Sequence, residues 1–331
     1  MKYTLVLLFL ALATTYALAN DDTALDTTNH TITIGHSKKE LEPQEDVARP
    51  FQLTPYLLAE LLLQQEAKYG ADYGTIAPGD VEAGITVSYR DKLSASLIIA
   101  LGDVYNIELN QAFINYAIKQ NMHITAGLVE SGFGILEFNS LSYPLIYDNL
   151  ETIVPSLMFD FHGKALFGSV AMYQGVQTDN LLSFIPAIGV ELGDIALLKA
   201  SARLEFENNR SYSDISLGFA LTPADFIEIR SEFVTDLQDK EEAGTPYRSM
   251  GYFAEAAFFI GNDWTLAGRY DDKITDYTVK DKEGIRAIEG SVRYTIFEPF
   301  SVAFAVTMLG DYTVSDTQWA PILSLQAHFD I

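Results

Sequence analysis

Five basic side chains are the strongest candidates for binding a charged solute, because each lies on the polar side of a segment in which polar and apolar residues alternate. They are Lys199, Arg203, Arg230, Arg269 and Arg293. Arginine presents a planar fork of N–H donors that matches a carboxylate, the group that citrate-like and hydroxy-acid chelators display. The set therefore indicates a wall that contacts an anionic solute.

The same basic residues have acidic candidates for partners on neighbouring segments. These are Glu205, Glu228, Glu232 and Glu289. For any one arginine, the sequence leaves both solute contact and ion pairing open. As a set, the charges would still impose a transverse field on anything that passes between them.

Residues for catalysis or metal binding are sparse. The histidines are His30, His36, His123, His162 and His328. No G-x-S-x-G nucleophile motif occurs, no histidines have metal-ligand spacing, and the chain has no cysteine. His162 follows Asp160 on one strand face, which is more typical of a structural contact than of a catalytic dyad. We expect no enzyme activity, no metal and no cofactor, and the formal net charge of -24 argues against a nucleic-acid partner.

The elements that must position these residues follow from the alternation itself. Segments with one apolar and one polar face predict β-strands. The predicted strands are 57–69, 81–90, 92–101, 106–118, 122–131, 153–162, 165–175, 181–192, 195–207, 214–222, 225–237, 248–260, 263–273, 284–296, 299–310 and 322–331. Three of them, 106–118, 181–192 and 248–260, have mixed faces with Phe113, Phe253 and Phe259 on the polar side, which predicts either a register error of one residue or a bulge.

Short and long connections alternate between these strands. Short ones carry Gly, Asn, Asp or Pro, and the longer ones include 132–152, 238–247, 274–283 and 311–321. This rhythm is typical of outer-membrane barrels. We therefore predict an all-β fold, a transmembrane antiparallel barrel of about 16 strands. A soluble periplasmic β-protein is the alternative, since a composition of 48% hydrophobic residues does not exclude it.

The N-terminal part of the chain has a different character. Residues 1–19 combine Lys2, an apolar run and the cleavage signal Ala17-Leu18-Ala19, which predicts a secretory signal peptide. Residues 20–54 are polar and predict a flexible periplasmic lead-in, too short for a folded plug. The barrel is expected to occupy 55–331.

The connection 132–152 is too apolar for an ordinary solvated loop. We expect it to fold inward after strand 5, where it would narrow the lumen and present Glu137, Tyr143, Tyr147 and Asp148 to a solute. The alternative is a cap that packs on itself outside the barrel.

Seven positions in this connection have the spacing F-G-x-x-E-x-N-x-x-S-x-P-L. They are Phe133, Gly134, Glu137, Asn139, Ser142, Pro144 and Leu145. The spacing resembles the signature loop of the LbtU family of siderophore porins, and the resemblance extends over most of residues 55–331. It implies a plugless outer-membrane barrel that takes up an iron-siderophore complex passively.

The expected function is therefore plug-independent passage of a small solute, a ferric siderophore, through the outer membrane of a Gram-negative bacterium. A general or ion-selective diffusion porin is the alternative. The expected partners are outer-membrane lipid, the solute and, if the chain forms porin-like trimers, two further copies of itself.

Overall fold

The strands follow from the alternation of apolar and polar residues. The computed structural model describes residues 51–68, 71–90, 92–101, 107–134, 138–141, 143–146, 153–174, 182–207, 210–237, 240–242, 245–276, 283–311 and 318–330. Their strands are β1 (Phe51–Lys68), β2 (Ala71–Tyr89), β3 (Leu93–Leu101), β4 (Ile107–Lys119), β5 (Met122–Glu130), β6 (Ile153–His162), β7 (Leu166–Gln174), β8 (Leu182–Leu192), β9 (Ala196–Glu207), β10 (Arg210–Ala224), β11 (Ile227–Asp236), β12 (Lys240–Glu242), β13 (Thr245–Tyr247), β14 (Met250–Ile260), β15 (Trp264–Asp276), β16 (Glu283–Phe297), β17 (Phe300–Asp311) and β18 (Gln318–Asp330).

Sixteen of these strands form one closed antiparallel barrel in which each strand pairs with its neighbours in the chain. The closure pairs β1 with β18, for example Leu61 opposite Ala327. β12 and β13 stand apart as a two-stranded sheet, so β11 pairs directly with β14. The predicted fold class is confirmed. Among the described residues, no helix is long and apolar enough to cross a membrane.

The two faces of the wall differ as the alternation predicts. On β9, Leu198 is 60% exposed whereas Ser201 is 6% exposed, and on β16, Ile288 is 48% exposed whereas Glu289 is 2% exposed. Apolar side chains therefore point outward from these strands and polar ones point into the lumen. Such a wall meets a hydrocarbon solvent outside and water or polar groups inside.

Tight turns join the strands at one end of the barrel, which we call the short-turn end. The turns after β8 and β14 contain Gly193 and Gly261, with φ of 60° and 62°. This left-handed backbone region is easily reached only by glycine. The other end of the barrel, which we call the loop end, carries the β5–β6 connection.

Several strands are longer than predicted at the loop end. β2 begins at Ala71, so most of the stretch between the first two predicted strands is itself strand. At the short-turn end, β1 begins at Phe51, opposite Tyr89 and inside the predicted lead-in. β10, β15 and β18 also extend past their predicted limits, and β12 and β13 lie in the predicted 238–247 loop. Backbone pairing continues beyond the apolar belt, where side chains no longer need to alternate, so the sequence pattern weakens there.

Candidate functional site

The described residues of the β5–β6 connection, 131–134, 138–141 and 143–146, are bound to the inner face of the wall, and we call them the β5–β6 segment. Its central part donates three consecutive backbone N–H groups to wall carboxylates. The N–H groups of Asn139 and Ser140 donate to Glu255 at 2.6 and 2.8 Å, and that of Leu141 donates to Glu289 at 2.7 Å. The two carboxylates therefore satisfy three backbone donors that have left water.

Arg269 lies between those carboxylates and completes the attachment. It pairs in register with Glu255 on β14 and with Glu289 on β16. Its guanidinium donates to the Ser140 hydroxyl and, at 3.1 Å, to the carbonyl of Tyr143. Ser140 in turn donates its hydroxyl hydrogen to Glu255. The arginine side chain is 1% exposed, so this network is closed to solvent.

The segment is held at a second place on β9. The N–H of Gly134 donates to the Ser201 hydroxyl at 2.8 Å, and Lys199 donates to the carbonyl of Gly134. Gly134 has a φ of 78°, which a side chain would strain. From β9 to β16, the attachment spans six adjacent strands of the barrel.

Apolar side chains anchor both ends of the segment. Phe133 is fully buried and Ile146 is 2% exposed, and they join a cluster with inward-facing side chains of β6, β7, β8, β11 and β14. The guanidinium of Arg203 lies 5.0 Å from the centre of the Phe133 ring. The segment is therefore amphipathic, with apolar ends and a polar middle.

This cluster explains one of the mixed strands. Phe253 is 1% exposed and belongs to the cluster, so it faces inward because the segment covers it. β14 needs no register shift at this point, and its pairing with β11 and β15 is continuous. On β4, Phe113 pairs with Gly127, and the irregularity is a bulge at Asn110, which is skipped where Leu109 and Gln111 pair with Ile99 and Ile98 of β3.

Four of the five predicted basic residues are engaged with the protein itself. Lys199 binds Gly134, and Arg203 pairs with Asp214 directly across the β9–β10 ladder. Arg230 pairs with Glu228 on its own strand. Arg269 binds Asp271 at 2.7 Å and Glu289 at 3.4 Å besides the segment.

Arg293 differs from the others. Directly across the ladders it faces Thr265 and Ala303, neither of which is acidic. Its Nε is buried without a hydrogen-bond partner.

The structure describes only some of the residues predicted in the connection. Glu137, Ser142, Tyr147 and Asp148 lie outside the described residues. Tyr143 is 47% exposed and packs edge-on against Phe138, with ring centres 5.4 Å apart. Pro144 is buried and Leu145 is partly buried. Phe133, Gly134 and Asn139 make the wall contacts given above.

The residues that sequence reasoning missed are mainly acidic. Glu255, Asp214 and Asp271 are buried inside the wall, and Glu255 is the chief acceptor for the segment. All the buried charged residues of the described chain lie on β10, β11, β14, β15 and β16. They are Asp214, Glu228, Arg230, Glu232, Asp236, Glu255, Arg269, Asp271, Asp272 and Glu289.

Histidine sites are isolated from one another. His123 contacts Asn115, His162 lies 3.3 Å from Glu191, and His328 lies 2.8 Å from Glu60. Among the described residues, no group of three or more histidine, aspartate or glutamate side chains is arranged to hold a metal ion.

Comparison with known proteins supports the architecture. No family model matches the chain, and no curated protein matches it either. The outer membrane channel DcaP of Acinetobacter baumannii is similar in structure, with a TM-score of 0.68 and 10% identity over 85% of this chain and 97% of that one. An anion-selective porin from Comamonas acidovorans has a TM-score of 0.67 and 8% identity over 85% of this chain and 100% of that one. In-vitro folded OmpT of Vibrio cholerae, in a trimer form, has a TM-score of 0.65 and 11% identity over 86% of this chain and 100% of that one.

The chain has the fold of the outer-membrane porins. At these identities the likeness shows the fold alone, and the resemblance to the LbtU family stays an expectation.

Proposed function

We propose that the chain is an outer-membrane diffusion channel for a small solute, narrowed by an inward-folded β5–β6 segment. One observation carries the proposal: the segment is bound to inner-face groups on β9, β14 and β16, within a closed barrel. A chain held there reduces the cross-section open to water. Three polar contacts on consecutive residues and two apolar anchors would keep that reduction in a defined position.

The outer surface supports a place in the outer membrane. Leu198, Ile188, Leu266 and Phe304 are exposed on the outer face by 60%, 53%, 39% and 43%, a distribution that suits lipid. The trimer form of the similar Vibrio protein supports the further proposal that this chain is a homo-trimer, which its mass in detergent would test. We propose a channel rather than an enzyme because each described histidine has its own neighbour on a different part of the wall.

The absence of cysteine allows a direct test of the channel. Ser96 lies on the inner face of β3 and Ala95 on its outer face, where the flanking Leu97 is 48% exposed. In planar bilayers, a charged water-soluble thiol reagent should reduce the conductance of Ser96→Cys and leave that of Ala95→Cys unchanged. Equal responses of the two variants, or no conductance in the unmodified protein, would contradict the proposal.

The finer proposal is that the solute is a ferric siderophore. It is supported by the resemblance of Phe133–Leu145 to the LbtU signature loop. In proteoliposomes, a ferric chelate should enter with a measurable half-saturation and faster than a neutral sugar of similar size. Uptake that rises linearly with concentration at the sugar's rate would instead favour a general or ion-selective porin.

A further inference from the structure

Among the four arginines predicted on the inner wall, Arg293 has a distinct setting. Arg203 faces Asp214 across its ladder, Arg230 faces Glu255, and Arg269 faces both Glu255 and Glu289. Arg293 faces Thr265 and Ala303. Register therefore gives each of the other three a carboxylate directly opposite and gives Arg293 none.

The neighbouring inner-face positions are also small. Ser291 precedes Arg293 by two residues on the same face, and Ala303 beside it is 4% exposed. Arg293 lies four residues from Glu289 toward the short-turn end, about 13 Å along the strand. A solute that passes the β5–β6 segment would reach this position next.

The carboxylates that act electrostatically on Arg293 are Glu60, Glu255 and Glu289. Each is bound to other donors. Glu60 is paired with His328, Glu255 accepts from Asn139 and Ser140, and Glu289 accepts from Leu141 and Arg269. None of these contacts supplies a hydrogen bond to the buried Nε of Arg293, which has no partner.

We propose that Arg293 is the binding point in the lumen for a solute that carries a carboxylate. A carboxylate would supply an acceptor for the buried Nε, which has no hydrogen-bond partner, and could bind the planar guanidinium through two parallel hydrogen bonds. This inference rests on the proposed channel function and names a substrate class for it. The proposal assigns the solute contact to one residue and not to a uniformly basic wall, because the other predicted basic side chains are already bound to the protein.

Citrate is a suitable probe in planar bilayers that carry a potassium chloride current. It should reduce the current of the wild-type channel, and Arg293→Gln should raise the half-blocking concentration at least tenfold. Arg293→Lys keeps the charge but loses the planar fork, so an intermediate value is expected. Arg286→Gln is the matched control, because it removes the same charge from a side chain that binds Asp272 away from the lumen.

The outcomes separate the two proposals. If no protein conducts, the channel function fails. If all variants conduct and citrate blocks them equally, Arg293 is not the binding point, although the channel stands. Folding of each variant is checked by heat-modifiable migration on a gel, and Arg293→Lys provides a folded comparison if Arg293→Gln does not assemble.

Discussion

Two parts of the barrel wall use polar side chains for different purposes. The wall of β10, β11, β14, β15 and β16 holds the buried charges, and its carboxylates bind backbone N–H groups of the β5–β6 segment. The wall of β2, β3, β4 and β5 carries short neutral contacts, such as Thr86 with Ser96 at 2.8 Å and Asn115 with Thr125 at 2.8 Å.

The difference shows that, in this fold, charge is buried where a piece of backbone covers the wall. A carboxylate that leaves water needs several donors, and an extended piece of backbone can supply them. The β2–β5 wall has no such covering chain among the described contacts. Hydroxyl and amide side chains contact one another there, and the carboxylate of Glu82 accepts from Tyr56 and Asn110. The described inner wall is therefore asymmetric, with an ionic side that holds the buried charges and a side of mainly neutral contacts, which we call the neutral side.

The largest effect is expected from Glu255→Gln, which breaks the ionic side. A carboxamide offers one acceptor oxygen where the carboxylate accepts from both Asn139 and Ser140, and its NH₂ group would face a donor. We expect a loss of about 3 kcal/mol in the free energy of unfolding and a higher single-channel conductance as the segment loosens. The temperature at which the folded band is lost on a gel measures the change in stability. Recordings in planar bilayers measure the change in conductance.

Glu82→Gln is the control for this change on the neutral side. Glu82 accepts from the side chains of Tyr56, at 3.1 Å, and Asn110 on the β2–β5 side of the barrel. If both substitutions alter conductance equally, the two walls do not differ in the way described.

The next largest effect is expected from Gly251→Ala, which acts on the apolar anchor. An added Cβ would lie 2.5 Å from Cγ2 of Ile146. Overpacking of this kind costs about 1–3 kcal/mol, and displacement of Ile146 should also make the current noisier. Gly290→Ala is the matched control, since nothing lies within 4 Å of its added Cβ. Equal melting temperatures for the two variants would show that Ile146 is not held against β14.

A smaller effect is expected from Lys199→Met, which keeps the length of the side chain and removes its charge. The carbonyl of Gly134 would lose the donor that it has on β9. A hydrogen bond to a charged group contributes about 1.5 kcal/mol, so the melting temperature should fall slightly and conductance should change less than in Glu255→Gln. Lys164→Met, at an exposed position in the turn after β6, should leave both unchanged. A conductance change larger than that of Glu255→Gln would place the main attachment on β9 instead.

The strands could be predicted because each barrel strand must present apolar residues outward within the membrane. The predicted strand 153–162 coincides with β6, and 122–131 differs from β5 by one residue. The pattern was uninformative at residues 71–80 of β2, where Gly74, Pro78 and Gly79 interrupt it. Backbone pairing at the loop end needs no apolar face and leaves no periodic signal.

The candidate site could be predicted only in part, because its partners depend on register between strands. The sequence offered four glutamates as candidate partners for Arg203, but it pairs with Asp214 on the next strand. Glu255 shares the inner face of β14 with Phe253, and that aromatic residue obscured the polar face. Phe253 faces inward because Phe133 and Ile146 join the same cluster, a contact between segments far apart in sequence.

The smallest effect is expected on the neutral wall, from Thr86→Val. This substitution keeps the shape of the side chain and removes the hydroxyl that contacts Ser96 at 2.8 Å. A single neutral hydrogen bond contributes about 1 kcal/mol, and the same amount should be lost in Ser96→Ala. The double variant should lose no more than either single one, because both changes remove the same contact. Conductance should stay at the wild-type value throughout, since no part of the β5–β6 segment is bound to this pair among the described contacts. A change in conductance would mean that the segment extends to the neutral wall as well, and the lumen would then be constricted from both sides.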